Sequence, residues 1–173
     1  YLNSGDTTVF KKSNGLFALN LAKKSGKDSF ILAEGYMDVI AMHQAGFNNA
    51  VATLGTALTS QQARLIGDYA KKVIISYDSD EAGQKATRRA MEIFEKEDVT
   101  VQVLQMTGAK DPDEYIKKYG QHLFHLMLYA VLHPEEEEKF ERIPLKAPEE
   151  NQTIFLPNSR IARVYKPELK ATI

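Results

Sequence analysis

Residues 73–83 of the chain read VIISYDSDEAG. The first part, residues 73–77, is an apolar run rich in β-branched residues, which is typical of a strand covered on both faces of a sheet. Asp78 and Asp80 follow it directly. Residues 81–97 then carry apolar side chains at helical spacing, at Ala82, Ala86, Ala90 and Ile93. A buried strand, an acidic turn and a helix form one repeat of a parallel α/β sheet.

The same strand-then-helix unit recurs on both sides of this stretch. Strands are predicted at residues 29–33, 49–53, 73–77 and 99–106. Helices alternate with them, at residues 37–45, 59–70, 81–97 and 113–119. The order β-α-β-α-β-α-β-α predicts an α/β fold with an open, mostly parallel sheet and helices on both faces.

Local signals mark the ends of these helices. Thr59 and Gln62 have the spacing of a capping box. Gly46 is a natural stop for the first helix, and Asp111-Pro112 supplies an N-cap and a first-turn proline for the last one. The helix ends are therefore predicted independently of the apolar pattern.

Apolar residues at helical spacing support these helices. In the first helix they are Met37, Ile40 and Ala41. Further helices are expected at residues 13–24, with Leu16, Phe17 and Leu21 on one face, and at residues 123–132.

Composition sets outer limits on the function. The 173 residues contain no cysteine, which excludes a disulfide, a thiol nucleophile and a cysteine-based zinc site. The formal charge of -1 gives no overall attraction to nucleic acid, although residues 1–33 hold five lysines against two aspartates, a net of +3. No apolar run is long enough to cross a membrane. Since the chain begins with Tyr1 and not Met, we expect a piece of a longer cytoplasmic protein.

Carboxylates follow three of the predicted strands. Because the carboxyl ends of parallel strands meet at one edge of the sheet, where such sheets bind ligands, these side chains are expected to converge. A cluster of this kind is unfavourable unless cations are present, and carboxylate oxygens suit Mg²⁺ or Mn²⁺. Two such ions can assist phosphoryl transfer. The acids are Glu34, Asp38, Asp78, Asp80, Asp111 and Asp113.

The pattern alone leaves other interpretations open. Each acid taken singly is more often a helix cap or a solvated surface group, and a response-regulator-like or nucleotide-binding sheet has similar features. The chain has neither a GxxxxGK[ST] nor a GxGxxG sequence, which counts against P-loop and Rossmann binding.

Gly35 and Gly55 lie at strand-to-helix turns, and Gly83 lies where a side chain would clash with the preceding loop. His122 and His125, at i and i+3, are expected to pack or to be exposed and not to bind a metal.

Four short motifs resemble a known family. Residues 34–40 (EGYMDVI), 52–59 (ATLGTALT), 77–83 (YDSDEAG) and 110–114 (KDPDE) resemble, in this order, the TOPRIM segment of bacterial DNA primases. The opening residues 1–4 with Phe10-Lys11-Lys12 resemble the stretch that precedes that segment. Ser79 stands where the family often has glycine, Gly5 stands where proline is usual, and the residues after 120 do not match.

The resemblance implies synthesis of short RNA primers from NTPs on a single-stranded DNA template. It implies Glu34, Asp78 and Asp80 as catalytic metal ligands for two or more Mg²⁺ or Mn²⁺ ions, and Asp38, Asp111 and Asp113 as further ligands. Nucleotide or DNA contacts are expected from Lys11, Lys12, Gly35 and Gly55, whereas Lys23 and Lys24 are expected on an exposed helix face. Zinc and the replicative helicase are expected to bind only to parts of the protein outside this chain.

The same resemblance divides the chain into three parts. Residues 1–28 are expected to end a preceding basic subdomain, residues 29–120 to form the TOPRIM domain, and residues 121–173 to form a helical or irregular extension. Two other functions are considered: a TOPRIM nuclease that uses the same metal site to hydrolyse phosphodiesters, and a non-catalytic module that binds nucleotide or DNA.

Overall fold

The computed structural model describes residues 5–134, 140–146, 151–157 and 163–164. Its main sheet has four parallel strands in the order β2-β1-β3-β4. The strands are β1 (Ser29–Ala33), β2 (Ala50–Ala52), β3 (Lys72–Ser76) and β4 (Thr100–Val103). The predicted open parallel sheet is confirmed, with β1 and β3 at its centre.

Helices cover both faces of this sheet, as predicted. They are α1 (Leu19–Ala22), α2 (Tyr36–Gln44), α3 (Ser60–Gly67), α4 (Glu81–Phe94) and α5 (Pro112–Leu132). One buried cluster joins Leu32 and Ile75 of the central strands to Ile66 of α3 and Phe94 of α4. A second cluster, on the other face, joins Ile31 and Ile74 to residues of α2 and α5, such as Met42 and Phe124.

A capping box begins α3 and also fixes the segment before the sheet. The Thr59 hydroxyl accepts from the Gln62 amide at 3.2 Å, and the Gln62 side-chain oxygen accepts from the Thr59 amide at 3.0 Å, as predicted. Gln62 is fully buried, and its side-chain amide donates to the carbonyls of Lys12 and Gly15 at 3.0 and 2.8 Å. The N-terminal segment is therefore docked on α3.

The prediction of one helix over residues 13–24 is wrong. Two short 3₁₀ turns, Lys12–Asn14 and Lys23–Ser25, flank a single helical turn, α1, which follows Ala18 at a φ of 60°. Phe17 instead pairs with Ala52, since its amide donates to the Ala52 carbonyl at 2.8 Å. The open edge of β2 offers backbone partners that a helix could not satisfy, so the segment is extended there. Leu21 is 47% exposed, whereas Leu16 is buried.

The buried face of α2 differs from the side on which Met37 and Ile40 lie. Met37 and Ile40 are exposed, whereas Asp38, Val39 and Met42 are buried. Asp38, on the buried side, accepts a hydrogen bond from the Gly35 amide at 3.2 Å. The sequence has apolar residues on both sides of this short helix, so spacing alone could not choose between them.

The edge strand and the helix before it are shorter than predicted. The strand predicted at residues 99–106 is confined to β4, whose residues are exposed or half-buried because it lies at the edge of the sheet. The helix predicted to reach residue 97 ends at Phe94, and Ala82 of its predicted apolar side is exposed.

The last helix contains both of the helices predicted for that region. Asp111 caps α5 through its side chain, which accepts from the Glu114 amide at 2.8 Å, and Pro112 follows in the first turn, as predicted. Gly120, at a φ of 87°, interrupts α5 at the junction of the two predicted helices. His122 is exposed, and His125 stacks on Phe47 at 6.1 Å between ring centroids.

Three further strands, β5 (Phe140–Lys146), β6 (Asn151–Pro157) and β7 (Arg163–Val164), pair antiparallel in the order β5-β6-β7. The sequence does not predict them.

The division of the chain into three parts remains a prediction, and residues 1–4 of the family resemblance lie outside the described residues. Among the helices that are described, none combines the length and the apolar character needed to span a membrane.

Candidate metal site

The loops that carry the predicted acids lie at the carboxyl edge of the parallel sheet. Glu34 follows β1 directly, Asp78 and Asp80 lie between β3 and α4, and Asp111 and Asp113 lie at the start of α5. Electrostatic coupling joins these loops, because the charges of Asp78 and Asp80 both raise the pKa of Glu34. The sheet therefore brings together acids that are up to about eighty residues apart in the sequence.

Glu34 lies at the exposed rim of this edge. Its pKa is raised above the usual value, first by partial burial of the carboxyl group and then by the negative charge of Asp78. The positive charge of Lys110 acts in the opposite direction. A second cation at this position would favour the ionised form of Glu34 further.

Asp38 is the buried member of the set. The side chain is 8% exposed, and one of its oxygens accepts from the Gly35 amide. Burial is the largest cause that raises the pKa of Asp38 to about 6, and the negative charge of Asp111 adds to it. Asp38 thus completes the first turn of α2 and at the same time adds an unfavourable negative charge to the cluster.

Asp78 is paired with a lysine. The Lys110 ammonium lies 3.0 Å from a carboxylate oxygen of Asp78. The Asp78 side chain is 18% exposed and that of Lys110 is 57% exposed. The hydrogen bond to Asp78 and the charge of Asp78 raise the pKa of Lys110. Lys110 therefore supplies a positive charge in direct contact with this acidic edge.

Ser79 joins the two acidic loops. Its amide donates to the Lys110 carbonyl at 2.9 Å, and its hydroxyl lies within hydrogen-bond distance of the carbonyls of Ala109 (3.2 Å) and Lys110 (3.1 Å). A glycine could make the first contact but not the hydroxyl contacts. Ser79 is therefore more than a small departure from the family pattern, because its hydroxyl helps to hold these loops together.

Asp80 and Gly83 shape the start of α4. The Asp80 side chain accepts from the Gly83 amide at 2.8 Å and caps the helix. A Cβ atom at Gly83 would lie 2.1 Å from the Asp78 carbonyl oxygen. The predicted clash with the preceding loop is confirmed, since only glycine allows the Asp78 backbone to approach so closely.

The donor set has the chemistry that a divalent cation requires. All six predicted ligands are carboxylates, which suit Mg²⁺ and Mn²⁺. Burial is the largest cause of the raised pKa of Glu34 and of Asp38, and the neighbouring aspartates add a smaller repulsion that a cation would relieve. As the side chains are placed, however, no three acids or histidines in the described part of the chain are grouped closely enough to hold one ion. The residues therefore fit the ion chemically, and binding requires their side chains to turn toward it.

A cavity lies beside Glu34. It has a volume of about 360 Å³ and is lined by residues of the β2–α3 loop, such as Thr53 and Gly55, by Tyr77 after β3, and by residues of α4, such as Arg89. Gly55 has a φ of 73°. The sequence singled out Gly55 but missed Arg89, which lies on the solvent side of an amphipathic helix and so has no distinguishing local signal.

The predicted lysines belong to the N-terminal segment. Lys11 and Lys12 belong to the segment docked on α3, and no ion pair among the described residues joins them to the acidic edge. Lys23 lies over the ring of Tyr69, with 3.9 Å between the ammonium and the ring centroid. The contact of Lys11 and Lys12 with nucleotide or DNA stays a prediction. The structure also brings Lys110 to the acidic edge. This lysine begins the KDPDE motif, but the sequence alone gives it no role in the site.

Known proteins resemble the chain in both sequence and fold. Residues 31–116 match the family described as Toprim-like. The DNA primase of Clostridium acetobutylicum is 49% identical over 125 residues, which cover 72% of this chain and 21% of that protein. The DNA primase of Campylobacter jejuni is 44% identical over 130 residues, which cover 74% and 22%.

Solved structures agree with these relatives. The zinc-binding and RNA polymerase domains of the Aquifex aeolicus primase share the fold with a TM-score of 0.72 and 41% identity, over 75% of this chain and 33% of that one. A primase catalytic domain bound to single-stranded DNA gives a TM-score of 0.68 and 30% identity, over 82% and 48%.

The parallel sheet with its acid-bearing edge thus defines a Toprim-like domain. The relatives narrow this further, and the chain belongs to the bacterial DNA primases, of which it contains the TOPRIM segment. It spans about a fifth of the length of the curated relatives described above.

Proposed function

We propose that the chain is the metal-binding catalytic segment of a DNA primase, which makes short RNA primers from NTPs on single-stranded DNA. The observation that carries the proposal is the convergence of three acid-bearing loops at one edge of a Toprim-like sheet. The names of the relatives support it, as does the neighbouring structure that contains single-stranded DNA. The proposal places the protein in the cytoplasm, where the chromosome is copied.

Glu34, Asp78 and Asp80 are the proposed principal ligands. Two or more Mg²⁺ or Mn²⁺ ions bound there would neutralise phosphate charge and lower the pKa of the primer 3′-hydroxyl. Asp38, Asp111 and Asp113 are proposed to orient these ligands or to complete the coordination. Caps at Asp38, Asp80 and Asp111 fix the loops in advance, so less conformational freedom is lost when nucleotide and ion arrive.

The remaining contacts belong to the nucleotide and the template. Gly35 and Gly55 border Glu34 and leave room for a phosphate or sugar close to the backbone. Lys11 and Lys12 are proposed to contact template phosphates beside the sheet. Zinc and the replicative helicase are proposed to bind parts of the protein outside this chain.

Replacement of Asp78 by asparagine tests the assignment. The full primase that contains this chain is incubated with a single-stranded template, NTPs and Mn²⁺, and Mn²⁺ binding is measured in parallel. Asp78→Asn is expected to lower Mn²⁺ affinity at least about tenfold and to abolish primer synthesis, because a charged ligand becomes neutral without a change of shape. Asp68→Asn, at an exposed residue after α3, is the matched control and is expected to leave both unchanged.

Primer synthesis at the normal rate by Asp78→Asn would contradict the proposal. Nicked DNA without primer extension by the unaltered protein would assign the same acids to a nuclease. Nucleotide binding that survives Asp78→Asn, with neither reaction in the unaltered protein, would indicate a non-catalytic binding module.

A further inference from the structure

We propose that Lys110 is an exchangeable internal cation, bound to Asp78 while the site is free of metal and bound to the nucleotide phosphates once a divalent ion takes its place. This inference rests on the proposed function, since it concerns the same acidic edge. It assigns a phosphate-binding role to a residue that neither the spacing of the acids nor the motifs singled out.

The backbone of Lys110 is fixed on two sides. Its amide donates to a carboxylate oxygen of Glu114 at 2.7 Å, and its carbonyl accepts from the Ser79 amide at 2.9 Å. The Ser79 hydroxyl adds a contact to the same carbonyl at 3.1 Å. These bonds hold the α-carbon of Lys110 at the acidic edge whichever way its side chain points.

The side chain of Lys110, by contrast, is held mainly at its tip. It is 57% exposed, and the ammonium lies 3.0 Å from the Asp78 carboxylate. A lysine has a flexible four-carbon stem, so the ammonium can leave Asp78 by rotation about side-chain bonds and remain within a few ångströms of it. A fixed backbone and a mobile charge are the features that an exchange between two nearby anions requires.

The electrostatic surroundings of the Lys110 ammonium would change when a divalent ion and a nucleotide bind at the acidic edge. In the structure the ammonium is attracted by Asp78, Asp80 and Asp111, and it acts in turn on Glu34. A divalent ion on Asp78 would repel the ammonium and neutralise the carboxylates that attract it. A triphosphate on that ion brings several negative charges to the same place, and lysine binds phosphate well as a compact point charge.

The exchange predicts effects of opposite sign on two ligands. Without the ammonium, Mn²⁺ no longer competes for Asp78, so Lys110→Gln is expected to bind Mn²⁺ about two- to fivefold more tightly, the factor typical of a partly exposed ion pair. The same variant lacks a phosphate contact. In saturating Mn²⁺ it is therefore expected to bind a non-hydrolysable ATP analogue about threefold to tenfold more weakly.

The experiment is a Mn²⁺ titration of the chain followed by electron paramagnetic resonance, and then a titration with the ATP analogue. Lys110→Arg keeps the charge and is expected to stay close to the unaltered chain in both. Lys85→Gln is the matched control, because Lys85 forms an exposed 2.7 Å ion pair with Glu81 at the start of α4, outside the acid set. It is expected to change neither affinity. Circular dichroism and the urea midpoint check that each variant folds.

Tighter Mn²⁺ binding together with weaker nucleotide binding by Lys110→Gln supports the exchange. Any other combination overturns it: loss of both affinities would mean a purely structural ion pair, and tighter Mn²⁺ binding with unchanged nucleotide affinity would mean that Lys110 only blocks the site. Asp78→Asn separates this inference from the proposed function. If Asp78→Asn leaves Mn²⁺ binding unchanged, the proposed metal site itself fails, whatever Lys110 does.

Discussion

Three carboxylates at the acidic edge also cap helices. Asp38 accepts from the Gly35 amide, Asp80 from the Gly83 amide and Asp111 from the Glu114 amide. Each of these contacts uses one carboxylate oxygen, and the other oxygen keeps its capacity to accept a hydrogen bond or to ligate an ion. Capping and metal binding are therefore compatible, because the second oxygen of each acid can reach an ion once the side chain turns toward it.

Gly83 provides the sharpest prediction for a single residue. In most helices an alanine in place of glycine stabilises the protein by about 0.5–1 kcal/mol. Here the added Cβ would meet the Asp78 carbonyl oxygen at 2.1 Å, so the Asp78 loop must move. Gly83→Ala is expected to lower the free energy of unfolding by about 1–3 kcal/mol, measured by urea denaturation, and also to weaken Mn²⁺ binding.

The matched control is Gly5→Ala, because a Cβ at Gly5 would have no atom within 4 Å. That variant is expected to unfold at the same urea concentration as the unaltered chain. If Gly83→Ala were as stable as Gly5→Ala, the close approach of the Asp78 backbone would not be a constraint on the loop.

At the scale of elements, one side chain of α3 holds the N-terminal segment. Gln62 completes the capping box with Thr59 and reaches the carbonyls of Lys12 and Gly15 from a fully buried position. The Thr59 hydroxyl also donates to the Ser13 carbonyl at 2.8 Å. Helix capping and the docking of the preceding segment therefore depend on the same two residues.

Gln62→Ala is expected to release this segment. It removes the donor for two carbonyls and half of the capping box, at a cost of about 1–3 kcal/mol for the buried partners that are left unpaired. Trypsin is therefore expected to cleave after Lys11 and Lys12 several times faster than in the unaltered chain, as followed by mass spectrometry.

Gln61→Ala is the control for this variant, since Gln61 is the neighbouring residue on the exposed side of α3. Its cleavage rate is expected to match that of the unaltered chain. Equal rates for Gln62→Ala and Gln61→Ala would show that other contacts hold the segment in place.

At the scale of the molecule, the acidic edge makes stability depend on pH and on divalent ions. The pKa of Asp38 is about 6 in the folded chain, against a usual value of 3.8. The folded state therefore binds a proton more tightly than the unfolded state between these values. Its free energy of unfolding is expected to fall as the pH rises through this range, by up to about 3 kcal/mol in all.

Urea denaturation in EDTA at pH 4.5 and pH 7.5 measures the larger part of this fall, because pH 4.5 already lies above the usual pKa of Asp38. Asp38→Asn keeps an oxygen for the Gly35 amide and cannot ionise, so it is expected to lose most of the difference between the two pH values. A smaller difference should remain, because the pKa of Glu34 is raised in the same direction. An unchanged difference in Asp38→Asn would show that the carboxyl group of Asp38 is not its source.

The sequence by itself determined the parallel α/β architecture, the helix caps and the acids of the candidate site. These features depend on residues that are neighbours along the chain: apolar runs for β1 and β3, the capping box of Thr59 and Gln62, and Asp111 before Pro112. Local backbone physics is similar in any context, so such patterns can be recognised without knowledge of the fold.

Only the tertiary structure decided how the loops meet. Ser79 contacts Ala109 across thirty residues, and Lys110 reaches Asp78 from the loop before α5. It also decided that Phe17 pairs with the edge of β2, where the sequence favoured a helix, and that Asp38 and not Met37 faces inward. These contacts depend on strand order and register, because elements distant in the chain become neighbours only when the sheet forms and its buried polar groups take partners there.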